Sequence, residues 1–214
     1  MKQLMKYYLL YSLTLLCCNF STAQQDTNSQ IIKPKADNLR FMLIEVGTYT
    51  AVPINNSFIS ESDSNLGFDI NSSLIISDTY IIGLGYNQFK LKNHDYSRTG
   101  FFKQTRTTAF YLQLGYKHRF KEKWAATASY GIGQAIYTHE LFDSIENFTD
   151  KGMYNHLSMK LHYSISKNID LNAHVGYRID FLDTDVPPQL SKLYDNVSYL
   201  TTGLSISIFL EKNN

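Results

Sequence analysis

The chain has 214 residues, enough for one domain with a full core. Only 18% are charged and 14% are aromatic, mostly Tyr (16) and Phe (13), a blend that suits strands better than soluble helices. Basic and acidic residues nearly cancel, 20 against 19, which excludes the electrostatic footprint of a nucleic-acid binder.

The first 23 residues read as a secretory signal. Lys2 and Lys6 give a positive start, and Tyr7 to Cys18 is an apolar run too short for a membrane-spanning helix. Ser21-Thr22-Ala23 supplies the small residues that a signal peptidase reads, so cleavage is expected after Ala23. A lipoprotein signal on Cys17 or Cys18 would need a small residue just before the cysteine, and Leu16 and Cys17 stand there. Both cysteines leave with the signal, so the mature chain is stabilised without disulfides. Loss of Lys2 and Lys6 leaves 18 basic residues against 19 acidic ones. Residues 24–38 are polar and aperiodic and read as a flexible lead-in.

From 39 onward the pattern alternates with a period of two, the signature of strands with one apolar face. The first strand spans about 39–50, with Met42, Ile44, Val46 and Thr48 on one side and Glu45 on the other. A polar loop, 52–64, leads to the second strand at 65–76, where Phe68, Ile70, Leu74 and Ile76 alternate with Asp69, Asn71 and Ser73. Ser77-Asp78 is a minimal turn into the third strand, 79–90, with Tyr80, Ile82, Leu84 and Tyr86 on one face. A long loop, 91–105, precedes the clearest hairpin, 106–120 and 124–138, joined by Lys121-Glu122-Lys123. Its outward set is Phe110, Leu112, Leu114, Tyr116 and Phe120, answered by Trp124, Tyr130 and Ile132. After a loop at 139–153 come strands at 154–165 and 169–182, joined by Ser166-Lys167-Asn168. A last loop, 183–196, with Pro187-Pro188, leads to the eighth strand, 197–210. Long and short connections alternate, both chain ends fall on the short-turn side, and no segment shows a helical period.

The apolar face is expected to be outside. The opposite face is small and selective, Gly, Ser, Thr and Asn with isolated charges, as a narrow barrel interior requires. Strands of about 11–14 residues exceed the roughly 5–6 of globular sheets and suffice for a tilted bilayer crossing. Phe120 and Trp124 flank a short turn, and Phe110, Tyr137 and Phe181 lie toward the long loops, as two interfacial girdles would. The fold class read from this is all-β, an eight-stranded antiparallel up-and-down transmembrane barrel over 39–210, with 211–214 as a short tail.

The inward charges Glu45, Asp69, Asp170 and Asp180 can neutralise Lys117, Arg119, Lys160 and Arg178, so a polar network plugging the interior is expected. Gly83, Gly85, Gly131 and Gly133 lie on the inward parity, where they make room for long neighbours; without a third glycine and a following helix they are no phosphate loops. His162 and His174, with Asp170 and Ser158 or Ser164, contain the ingredients of a triad, but they point inward and read as part of the same network. No metal spacing and no cofactor motif is present, and the chain is not read as an enzyme. The loop at 91–105 with its flanks is basic (Lys90, Lys92, Arg98, Lys103, Arg106), and the next is acidic (Glu140, Asp143, Glu146, Asp150). The basic loop could pair with its neighbour or meet lipopolysaccharide phosphates.

In this architecture the chain resembles the small eight-stranded outer-membrane barrels of Gram-negative bacteria, the OmpA/OmpX-like families, and the outer membrane protein beta-barrel domain and porin-family proteins of Bacteroidetes. The sharpest motif is Thr201-Thr202-Gly203-Leu204-Ser205-Ile206-Ser207-Ile208, similar to the insertion signal of such barrels. The resemblance implies that Thr201, Gly203, Ile206 and Ile208 are read by the barrel assembly machinery. It further implies a monomer in the cell outer membrane, with periplasmic termini and with outer-membrane lipids and lipopolysaccharide as neighbours. A structural or surface-interaction role through the loops is expected, with a small porin for hydrophilic solutes and a lipid-modifying enzyme as the alternatives.

Overall fold

A computed structural model of the protein describes residues 40–60, 62–93, 102–142, 147–184, 186–187, 189 and 191–211. The signal, the whole lead-in at 24–38 and the last three residues therefore lie outside the described residues. The elements are β1 (Arg40–Pro53), β2 (Ser62–Ser64), β3 (Gly67–Ile76), β4 (Tyr80–Asn93), β5 (Phe102–Lys121), β6 (Trp124–Leu141), β7 (Asn147–Ser166), β8 (Ile169–Asp183), the one-turn helix α1 (Ser191–Tyr194) and β9 (Asn196–Glu211). Glu211 thus belongs to the last strand rather than to a tail.

All pairings are antiparallel, β9 returns to β1, and the β4–β5 pairing completes the circle. The short β2 pairs with the end of β4, Ser64 opposite Leu91, and acts as an interrupted continuation of β3. The backbone N–H of Asn65 donates to the Lys90 carbonyl (2.9 Å) across that break. The wall is therefore eight strands wide, with every long strand paired on both sides and no open edge around the waist. The short turns follow from local chemistry. Ser77 and Asp78 both have positive φ, 52° and 57°, the mirror-image turn whose twist matches the flanking strands.

The register sets the shape. A walk across directly paired residues from Met42 passes Leu74, Ile82, Leu114, Tyr130, Leu157, Tyr177 and Leu200 and returns to β1 at Val52, ten residues further on. With ~3.3 Å per residue and ~4.8 Å between strands, that offset corresponds to a tilt of about 41°, a radius of about 8 Å and about 2.5 Å of height per residue. Every residue on this walk except the half-buried Met42 is exposed and apolar. Along β6, ten residues separate Trp124 from Gln134, the first outward amide, so the apolar band is about 25 Å tall.

Aromatic rings edge the band. Tyr80 meets Tyr116 (5.8 Å between centroids) and Trp124 meets Tyr163 (4.9 Å) at the turn end, while Phe68, Tyr86 and Phe110 form a row at the loop end (5.6 and 4.9 Å). Phe120 and Phe181 are also exposed at the two edges, as expected. Tyr137 is not part of the girdle: it lies on the inward parity of β6 and is fully buried.

Two loops are shorter than the alternation suggests. β5 starts at Phe102, β6 runs to Leu141 and β7 starts at Asn147, so these three strands continue beyond the apolar band. Their outward residues there include Arg106, Thr138 and Thr149, so the contrast between faces disappears while the backbone pairing persists.

Candidate functional site: the sealed interior

Inward side chains fill the barrel in tiers. Nearest the short turns, Lys117 pairs with Asp170 (3.4 Å) and sets its ammonium 4.6 Å over the Phe209 ring. Above it Glu45 holds Lys160 and accepts hydrogen bonds from Ser205 Oγ (2.8 Å) and Ser207 Oγ (3.4 Å). His162 lies between Thr127 (2.8 Å) and Asn172 (2.7 Å), and the Asn172 amide donates to Ser205 (3.1 Å) and Ser207 (2.7 Å). Strands β1, β6, β7, β8 and β9 are thereby tied together at one level.

At mid-height the barrel keeps a small polar cavity of about 30 Å³, lined by Asp69, Gln113, Ser129, His156, Ser158 and His174 among others. By the space one water needs, this volume holds two or three waters rather than a substrate. The Tyr111 hydroxyl donates to Asp69 (2.7 Å), and Asn71 donates to Gln113 (2.7 Å). Gly85 makes room for Tyr111: a Cβ there would lie 2.1 Å from its Cζ.

The third tier is a caged guanidinium. Arg178 is 1% exposed and binds Asp180 with Nε (2.9 and 3.0 Å) and an η nitrogen (2.6 Å). Two residues apart on one strand, the pair shares a face by the period-two rule. The other η nitrogen donates to Asn87 (3.2 Å). The rings of Tyr154, Phe89 and Tyr199 lie 4.7, 5.2 and 5.4 Å from the guanidinium carbon. Tyr137 donates to Asp180 (2.5 Å) and bonds Tyr199 (2.8 Å). A buried charge without partners would be prohibitive; this one has a carboxylate, an amide and three aromatic faces.

Above the cage the segment between β1 and β2 folds inward. Phe58 and Ile59 are buried with Leu91, Tyr137, Leu182 and Val197. The Phe58 ring stacks on Tyr194 of α1 (4.7 Å, 9°), and its backbone N–H donates to the Leu193 carbonyl (3.0 Å). Burial and Asp150 raise the Tyr194 phenol above its ordinary pKa, so this ring stays neutral at physiological pH. Beside this plug, buried His139 bonds Thr105 (2.9 Å) and Asp150 (3.1 Å), clamping β5, β6 and β7 together.

The expected network is therefore largely assembled. The structure joins Glu45 with Lys160, Lys117 with Asp170 and Arg178 with Asp180, and gives Asp69 a tyrosine rather than a cation. Arg119 is a correction: its parity is inward, but it lies past the end of the packed interior, two residues before Lys121, and is exposed. The triad ingredients do not come together, since His162 bonds Thr127 and Asn172, Ser158 bonds Ser129 (2.8 Å) and Asp170 is held by Lys117. On β9, Thr201 and Gly203 face inward, Thr201 bonding His156 (2.9 Å), while Ile206 and Ile208 face outward and are exposed. Sequence reasoning missed the aromatic cage and the Phe58-Ile59 plug. The cage is marked in the sequence by inward-parity Phe89, Tyr137, Tyr154 and Tyr199; the plug is marked only by two apolar residues inside a polar loop.

The chain matches no family model and no curated protein. Solved structures do match. Neisserial surface protein A aligns over 79% of this chain and 97% of its own, with 12% identity and a TM-score of 0.58. A major outer membrane protein from Thermus thermophilus aligns over 79% and 99%, with 10% identity and a TM-score of 0.53. Ail, the attachment invasion locus protein of Yersinia pestis, aligns over 80% and 100%, with 12% identity and a TM-score of 0.50. At these identities the likeness is one of fold: the chain has the fold of a small outer-membrane β-barrel.

Proposed function

We propose that the protein is a non-conducting barrel of the outer membrane whose work is structural or lies in surface contacts made by its long-loop end. The observation that carries this is the interior: an apolar plug, a caged Arg178–Asp180 pair and two further ion pairs are stacked inside a wall whose backbone radius is only about 8 Å. A solute path would have to break buried charge pairs at several levels, each costing several kcal/mol. Supporting the membrane location are the apolar band of about 25 Å with aromatic edges and the fold it shares with outer-membrane barrels. The reading assigns the protein no catalytic step. Three strands that continue past the band, β5, β6 and β7, carry polar outward residues and form the surface offered to partners. Planar-bilayer recording of the purified protein tests this: only rare, small events are expected. A stable, large conductance would replace this reading with that of a small pore for hydrophilic solutes.

A further inference from the structure

We infer that the outward face of β4 and β5, just above the aromatic edge of the wall, binds the phosphate of a net-anionic membrane lipid, one whose headgroup carries no compensating cation, in the loop-side leaflet. The inference rests on the reading above that the barrel is embedded. Lys90 and Arg106 are direct antiparallel partners on that face. Like charges placed opposite each other destabilise a ladder unless an anion lies between them. One rung toward the membrane, Gln88 faces Thr108, and the Tyr86 hydroxyl donates to Gln88 Oε1 (3.0 Å). The amide oxygen is thus engaged and its NH₂ is turned to donate. One rung further down are Tyr86 and Phe110, whose ring row with Phe68 offers a surface for acyl chains. Cations and an amide donor above an aromatic shelf match a phosphate headgroup above its hydrocarbon. Lysine and arginine stems are long enough to lie along the shelf with their charges at headgroup height.

The acids nearby lie on the far side. Glu140, which forms a 3.8 Å ion pair with the exposed Arg106 from the loop side, and Asp63, the register partner of Lys92, both sit on the rung above, away from the band, and leave the membrane side of Lys90 and Arg106 open to a phosphate. Elsewhere around the rim at this level the outward residues are Val52, Ile136, Ser198 and Phe181, and Lys151 faces Asp183 directly. Two opposed cations above aromatic rings occur, among the described residues, only on the β4–β5 face.

The test uses the full chain without its signal, folded in an uncharged detergent and shown to be a barrel by heat-shifted gel mobility. Native mass spectrometry then follows retention of a short-chain phosphatidic acid, with phosphatidylcholine and inorganic phosphate as comparison probes. Phosphatidic acid is expected to stay bound and phosphatidylcholine to dissociate. Lys90→Gln with Arg106→Gln is expected to weaken retention by about tenfold or more, the loss of roughly one charge-assisted contact, and Lys151→Gln is expected to leave it unchanged. Equal retention by the double variant, an equal loss in Lys151→Gln, equal binding of phosphatidylcholine, or displacement by inorganic phosphate would each overturn the lipid-phosphate site while leaving the barrel intact. Absence of a heat shift would instead overturn the embedded-barrel reading, and this site with it.

Discussion

Leu114 and Gln113 are neighbours on β5 with opposite fates, and replacing each in turn by arginine separates a membrane barrel from a soluble one. Leu114 is exposed and pairs across the wall with Ile82 and Tyr130. Tyr130 lies six residues up from Trp124, about 15 Å in height, and Leu114 is one strand back, about 3 Å lower, so it sits near the middle of a band about 25 Å tall. At that depth an arginine on the lipid face costs about 2–4 kcal/mol. Gln113 faces the polar cavity, where Asp69 supplies a counter-charge, so Gln113→Arg loses the hydrogen bond from Asn71 (2.7 Å) and is expected to cost less than half as much. Denaturant titration of the protein folded into lipid vesicles gives both numbers. The single tryptophan, Trp124 at the turn-side edge, makes its fluorescence an assignable signal of insertion. Equal costs, or a larger one at Gln113, would mean that the apolar face is a soluble core and that the inside-out assignment is wrong.

Further outcomes follow from the same geometry. Asp180→Ala leaves the Arg178 guanidinium buried without its carboxylate and should destabilise the barrel by about 3–5 kcal/mol, whereas Arg178→Met combined with Asp180→Leu should recover most of that in the same titration. Gly85→Ala should cost about 1–3 kcal/mol through Tyr111, which Asp69 and a stacked Tyr154 (5.0 Å) hold in place; adding Tyr111→Ala should relieve the clash and give a non-additive double-mutant cycle. Replacing both Phe58 and Ile59 by alanine should lower stability yet leave planar bilayers silent, because the Arg178 cage closes the bore beneath them. Conductance from that variant alone would show that the plug is the sole barrier.

Much of the fold was legible because one rule governs the waist of the wall. An apolar outer face and a narrow polar interior force a strict period of two, which β8 shows from Leu171 to Phe181 without a break. The same rule explains where the sequence misleads. Beyond the band both faces meet water or protein, so Arg106, Thr138 and Thr149 no longer contrast with Thr105, His139 and Asp150, and strand ends look like loops. Inward parity locates Glu45, Lys160, Arg178 and Asp180 correctly but carries no height, so it does not separate Arg119, past the packed interior, from Lys117, two residues deeper and buried. Residue type alone assigns Tyr137 to the girdle although its parity is inward; parity is the better guide. Phe58 and Ile59 follow no period, and only the folded chain shows the loop turning back into the mouth.

The central claim, a closed barrel residing in a membrane, is tested most directly by the gel mobility of the native membrane fraction with and without heating. The account predicts that the protein is found in that fraction, resists extraction by salt, and runs faster unheated than boiled because the paired wall survives the detergent. A soluble protein with one mobility under both conditions would contradict it.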